Sequence, residues 1–196
     1  MFEFKPCAAG CGNGAITGSN LCGLHCVDRD TESRRLAMYI TERKELHNLC
    51  VSHLIFKNQD FSSREYYGCN FMESIFISCS FKKSRMRMTF FDMSIFNDCD
   101  FSNCDTQFLS FGGASLQSCA FQDSELVHLN FCGAMISNCE FSHSNLYNSR
   151  FNSTQINNTQ IDDCNIKKVF FINSIMKNVS LKYSNTAEAV FEYENN

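Results

Sequence analysis

From Phe56 to Phe191 the sequence can be stepped through in fives, and the 28 positions so marked hold 15 Phe, 4 Leu, 4 Ile, 2 Met and Tyr66, with Thr106 and Thr186 as exceptions. The phase never slips. Two residues before each marked position runs a second pattern, in which 8 Ser, 7 Cys, 3 Ala and 3 Thr make 21 of the 28 places small. A period of five matches neither the 3.6 residues of a helix nor the 2 of a strand. The backbone must therefore turn at regular intervals and bury one large and one small side chain each time. This demand explains a composition of 20 Phe and 13 Cys against one Pro and no Trp.

Segments such as CDFSN (99–103), SNLYN (144–148) and CNIKK (164–168) show the unit plainly, and they resemble the pentapeptide-repeat family, whose motif A(D/N)LXX has the large residue at its centre. The resemblance covers about 140 of the 196 residues. It implies an all-β solenoid, a right-handed quadrilateral β-helix with four units per coil, so that 28 units divided by 4 give about seven coils. At the usual strand spacing the rod is about 34 Å long. A twenty-residue coil stacks Phe61, Phe81, Phe101, Phe121 and Phe141 on one face, and the Phe71, Phe91, Phe111, Phe131, Phe151, Phe171 and Phe191 column on the opposite one. Each buried Phe contributes on the order of 1.5–3 kcal/mol of transfer free energy. Cys79, Cys99, Cys119 and Cys139 share a further column, about 4.8 Å apart, where parallel Cβ vectors favour reduced thiols acting as small fillers over disulfides. The unbroken phase leaves no projecting loop of the kind that several topoisomerase-protecting members of the family carry.

Residues 1–27 differ in kind, with five of the nine glycines and no repeat phase. Cys7, Cys11, Cys22 and His25 form a C-x3-C-x10-C-x2-H arrangement, in which two short knuckles offer three thiolates and an imidazole to a tetrahedral ion. Structural zinc suits that donor set. Cys26 competes with His25, the preferred fourth ligand. The string CAAGCGNGAITGSNLCGLHC also looks like the small treble-like zinc fingers at the ends of many bacterial and phage proteins. Residues 28–50 read as a helix that caps the first coil, with Asp28, Asp30 and Thr31 as N-cap candidates and Leu36, Tyr39, Ile40, Leu46 and Leu49 as its buried stripe. The repeat domain is then 51–191 and the tail 192–196. Ala187, Val190, Phe191 and Tyr193 lie near an open last coil, where similar family members dimerise end to end, so a homodimer is expected.

A net charge of −4 gives no general attraction to nucleic acid, and Lys5 is the single basic residue of 1–27. No stretch approaches the roughly 18 apolar residues that span a bilayer. The chain opens MFEFKPC, without a basic-then-apolar leader, and its cysteines are odd in number, so a reducing, cytoplasmic protein is expected; export without a signal would leave the same pattern. His47, His53, His128 and His143 read as isolated, with no acidic neighbour at coil spacing. Cys132, just after Phe131, points outward, and Gly112-Gly113 lies inside the repeat instead of following a strand. A non-enzyme is expected, a scaffold for protein–protein interaction and, on fold analogy, a bacterial effector. The alternative is a DNA-mimicking modulator of DNA gyrase or topoisomerase that confers quinolone or peptide-toxin resistance. From Met88 to Ser149 there is no Lys or Arg but seven acids, of which Asp100, Asp105, Asp123, Glu125 and Glu140 share two adjacent faces as candidate partner-binding residues. Over those three coils, about 15 Å, duplex DNA carries around nine phosphates, so five acids imitate it in part. Lys82, Lys83, Arg85 and Arg87 precede the corner and Lys167, Lys168 and Lys182 follow it, an alternation that suits a charged protein partner.

Overall fold

Every fifth residue from Asn48 to Tyr183 lies in the left-handed backbone region: 25 of these 28 positions are non-glycine and the others are Gly68, Gly113 and Gly133. They fall two places after each inward-pointing residue and make the corner. Left-handed backbone is costly for most L-residues and least so for Gly, Asn, Asp and His. Those four types and Ser fill 21 of the 28 corners, a third pattern of period five. The other seven include bulky residues such as Met88, Met93 and Phe108, which the stacked coils hold in place.

The computed structural model describes residues 4–192. A β-solenoid of about seven turns follows from these corners. Register advances by twenty, as in Glu65↔Arg85 and Phe76↔Phe96, and every strand pair is parallel. One face is a five-stranded sheet built from Glu45–His47, Glu65–Tyr67, Arg85–Arg87, Asp105–Gln107 and Glu125–Val127. The opposite face is a seven-stranded sheet that runs from Ile55–Lys57 to Ile175–Lys177. The two faces between them are held by single-residue bridges such as Asp100↔Ala120 and Asn130↔Arg150.

The interior is filled by ring stacks. Phe81, Phe101, Phe121 and Phe141 follow one another at centroid distances of 4.8, 5.0 and 4.7 Å, and Phe91, Phe111 and Phe131 at 5.3 and 5.1 Å. A third column, Phe56, Phe76 and Phe96, is spaced 5.3 and 4.9 Å. Adjacent columns meet edge to face, as Phe101 and Phe111 do at 89°, the geometry that the ring quadrupole favours. The small residue does more than fill space. Its hydroxyl or thiol donates to the carbonyl of the preceding coil's large residue: Ser94 to Phe71 at 2.9 Å, Ser144 to Phe121 at 2.9 Å, Cys104 to Phe81 at 3.1 Å. Cysteine therefore stands in for serine along this ladder, and all thirteen cysteines are free. Thr106, an exception to the large-residue pattern, is buried with its hydroxyl on Glu125 O at 3.2 Å; Thr186 starts a short 3-10 turn in the last coil.

Helix α1, Arg29–Thr41, is N-capped by Asp28, which accepts from the amides of Asp30 and Thr31. It ends nine residues before the position read from sequence. Leu46 and Val51 already stand at five-residue steps before Phe56, and stacking draws them into the solenoid, so Glu45–His47 is the first strand. Leu36 and Ile40 are the buried face of α1, whereas Leu46 and Leu49 are buried within the first coil. At the other end Phe191 stacks on Phe171 at 5.1 Å while 38% exposed; Tyr193 and the rest of the tail lie outside the described residues.

Replacing Phe101 by Ala removes a fully enclosed ring from the middle of a stack. A loss of about 3–5 kcal/mol in unfolding free energy is expected from urea titration. A loss below about 1 kcal/mol would show that the stack is not the source of stability.

Candidate metal centre and charged faces

Two tight turns carry the N-terminal cluster. In the first, Gly10 N–H donates to Cys7 O at 3.0 Å and Cys7 N–H to Asn13 O at 2.9 Å, with Gly10 at φ 70°, a conformation open to glycine at no steric cost. In the second, the amides of His25 and Cys26 both donate to Cys22 O, at 3.0 and 2.9 Å. These turns bring the ligand atoms of Cys7, Cys11, Cys22 and His25 within 4.8 Å of one another, a group that could hold a metal ion. Cys11 Sγ and Cys22 Sγ are 3.7 Å apart, and His25 Nδ1 stands 3.2 Å from Cys22 Sγ and 3.8 Å from Cys7 Sγ. Cys7 and Cys22 are buried, and Cys11 and His25 face solvent. Burial opposes ionisation of Cys22, yet hydrogen bonds from the His25 ring and the Leu24 amide bring its thiol down to about 6. Cys26 stands outside the group, its thiol donating to Gly23 O at 3.3 Å.

The module is seated on the first coil. Thr17 N–H donates to Cys50 O at 2.8 Å and Cys50 N–H to Thr17 Oγ1 at 2.9 Å, while Arg35 Nη2 reaches Thr17 O at 2.6 Å. Ile16 belongs to the solenoid's core. Gly23 passes so close that a Cβ there would meet Ser52 O at 2.4 Å. On the adjoining face Ser33 of α1 accepts from the Ile55 amide at 3.3 Å. Both segments thus satisfy backbone groups that an open coil would leave bare.

The five acids read from sequence do share adjacent faces: Asp105 and Glu125 in the five-stranded sheet, Asp100 and Glu140 on the bridge face beside it, and Asp123 at the corner between. Each is engaged. Arg87 donates to both carboxylate oxygens of Asp105 at 2.7 and 2.8 Å, and Arg85 adds a bond at 3.1 Å. Lys82 lies 3.9 Å from Asp100 and His143 3.6 Å from Asp123. Asn145 donates to Glu125 at 2.8 Å, and the Ser142 amide to Glu140 at 2.9 Å. Above Arg85, the Tyr67 hydroxyl bonds Glu65 at 2.5 Å and holds its carboxyl below the usual range.

The histidines are not isolated. His53 Nδ1 lies 3.2 Å from Glu73 and His143 pairs with Asp123, each a partner twenty residues away. The signal was present in sequence as coil spacing between His and acid. His128 stacks on Phe108 at 5.0 Å and His47 on Tyr67 at 4.9 Å. Among the described residues no helix is long and apolar enough to cross a membrane.

Comparison with known proteins follows this geometry. Residues 114–152 match the family model for pentapeptide repeats in eight copies. Trypsin-treated QnrB1, described as a plasmid-mediated fluoroquinolone resistance protein, is 21% identical over 72% of this chain and 70% of its own, with a TM-score of 0.54. A pentapeptide repeat protein from the Arabidopsis thaliana thylakoid lumen is 17% identical over 58% of this chain and 70% of its own, at a TM-score of 0.40. No curated protein matches. Residues 114–152 thus carry pentapeptide repeats, and the β-solenoid as a whole is similar in fold to QnrB1.

Burial pushes the thiols of Cys69 and Cys164 up to about 11 and that of Cys104 up to about 12; Cys99's hydrogen bond and then burial push Cys79 up as well. Hydrogen bonds from neighbouring thiols lower Cys99 and Cys139, but these sulfurs are buried like the rest of the ladder, so a thiol reagent near pH 8 is expected to modify half-buried Cys132 in the folded protein and the ladder cysteines only after denaturant is added. Mass spectrometry of the peptides decides this, and equal labelling of Cys119 and Cys132 in the folded state would refute it.

Proposed function

We propose that this protein is a non-catalytic scaffold that works by binding another protein through its solenoid faces. The observation that carries this reading is the stacked interior: rings and small residues fill the rod from end to end, so its distinctive chemistry lies on flat outer faces. Such a rod offers long, rigid contact surfaces at little ordering cost. The five engaged acids, with the bases that pair with them, give one of these faces a mixed charge pattern.

The N-terminal group is proposed to hold structural zinc through Cys7, Cys11, Cys22 and His25. In tetrahedral zinc, ligand bonds near 2.3 and 2.0 Å put sulfurs about 3.8 Å apart and sulfur and nitrogen about 3.6 Å apart. The distances of 3.7, 3.8 and 3.2 Å fall close to those edges. Metal analysis of purified protein is expected to find about one zinc per chain, lost in Cys7→Ser and Cys22→Ser. Because Ile16 and Thr17 join the first coil, chelation is expected to loosen the module and that coil while most of the β circular dichroism remains. Metal-free protein from zinc-replete cells, or loss of the whole β signal, would refute the respective parts.

A second reading, modulation of DNA gyrase, draws on the likeness in fold to QnrB1 and on the acidic corner. The bidentate Arg87–Asp105 pair weighs against it, since duplex DNA presents uncompensated phosphates. Affinity capture from cells followed by titration of each purified partner tests both readings. We expect a partner with a dissociation constant at or below the micromolar range, and gyrase supercoiling unchanged with or without a fluoroquinolone. Protection of gyrase that is abolished by Asp105→Lys with Asp123→Lys and Glu125→Lys would put the second reading first. Failure of every purified partner would sink the scaffold reading.

A further inference from the structure

The two sheets of the rod differ in chemistry. The five-stranded sheet has the strand sequences ELH, EYY, RMR, DTQ and ELV, with six Asp, Glu or Arg residues among them. The seven-stranded sheet has IFK, IFI, IFN, SLQ, MIS, QIN and IMK, with no acid and with lysine only in its first and last strands. The central residue of each strand points inward, so the flanking ones make the outer surface. Ile55, Ile75, Ile95, Met135 and Ile175 lie in one register column along the rod, interrupted by Ser115 and Gln155. Ile95, Met135 and Ile175 are 48%, 51% and 54% exposed. At the neighbouring corners Glu73 is held by His53 and Asp98 by Ser78, and exposed Met93 widens the apolar strip.

We infer that this acid-free face is where the partner docks, and that the partner presents an amphipathic helix with carboxylates at both ends. The inference rests on the scaffold reading above and names its surface. Backbone groups inside this face are paired coil to coil, so recognition falls to the side chains. A straight column suits the apolar stripe of a helix. From Lys57 to Lys177 is six coil steps, about 29 Å, the length of a helix of about 19 residues. A second copy of the chain is a poor occupant: face to face, an antiparallel pair sets Lys57 against Lys177, and a parallel pair sets each lysine against itself. Like charges opposed in either orientation select against self-association, and carboxylates on the partner meet both ends. At this sheet's first strand, α1 stands beside the column and forms a groove of about 530 Å³ whose lining includes Arg34, Met38, Ile55 and Lys57 together with one acid, Asp30. One end of the helix has a socket there, with two basic side chains.

The test is selection from a phage-displayed library of peptides about 20 residues long, against the full-length protein, with affinities then measured by fluorescence anisotropy. Selected peptides are expected to carry an apolar helical stripe and to be enriched in Asp and Glu at both ends. Ile95→Lys with Met135→Lys should weaken them at least about tenfold, and Lys57→Glu with Lys177→Glu about as much, whereas Gln107→Lys on the opposite sheet leaves affinity within about twofold. Thermal melting checks that each variant is folded. Peptides indifferent to the Ile95 and Met135 changes overturn the choice of face and leave the scaffold reading intact, as do peptides without acidic ends. A dimer in sedimentation equilibrium that dissociates on Ile95→Lys would place a second copy on this face and overturn the proposal too. A library that yields no binder at any face counts against both.

Discussion

A chain that turns a corner every five residues needs one left-handed residue per corner, and everything else in this molecule depends on meeting that demand 28 times in succession. A left-handed residue costs about 1–2 kcal/mol for an ordinary side chain. The cost is lowered by Asn, Asp, His, Ser and Gly at most corners and offset by what the corner makes possible. Each coil lies on the last in register, its amides bonded to the coils on either side and its rings stacked. The small residue completes the unit, because a larger side chain would fill the space beneath the corner and remove the donor that reaches the Phe carbonyl. Ser and Cys alternate freely since either offers a compact donor, as Ser84 on Phe61 O at 3.3 Å and Cys104 on Phe81 O at 3.1 Å show. The abundance of cysteine is thus a packing fact.

Much of this was legible from two of the three periodic positions. Large and small residues at fixed offsets were enough for the coil, the ring columns and the faces on which Asp105 or Glu140 lie. The corner pattern was less visible because five residue types share it and Met88 or Phe108 break it. The start of the solenoid was hidden for another reason: residues 42–50 carry Leu46 and Leu49 at spacings that a helix also satisfies, and only the stacking of Leu46 beneath Tyr66 decides. Pairs such as His53–Glu73 were missed although they stand at coil spacing, because both residues lie in the corner column, the one of the three that was not read.

Electrostatics follows the same rule of twenty. Although Glu45 beside Glu65 and Asp105 beside Glu125 set like charges together toward the ends of the five-stranded sheet, Glu65, Arg85 and Asp105 are successive rungs, so opposite charges meet in its middle. Exposed pairs of this kind add little stability, on the order of 0–1 kcal/mol each. Their effect is to interrupt the acidic column at Arg85. The seven-stranded sheet has no such pairs to make. A net charge of −4 therefore describes neither face well.

The N-terminal module shows how the two ends of the rod differ. A stack of parallel coils has bare amides and carbonyls at its first turn, a template for unwanted pairing. Here Thr17 takes the place of a preceding rung opposite Cys50, and Ser33 takes it opposite Ile55. The segment that supplies Thr17 has few buried apolar residues of its own, chiefly Ala15 and Ile16 beside Cys7 and Cys22. So small a core cannot hold a chain of some twenty residues against its conformational entropy. A bound ion would supply what the core lacks, since metal binding free energy acts as folding free energy. The four ligand atoms join the two ends of the loop whose middle carries Ile16 and Thr17. Closing that loop fixes the rung, and in this way the chemistry of the metal group would govern the integrity of the first coil.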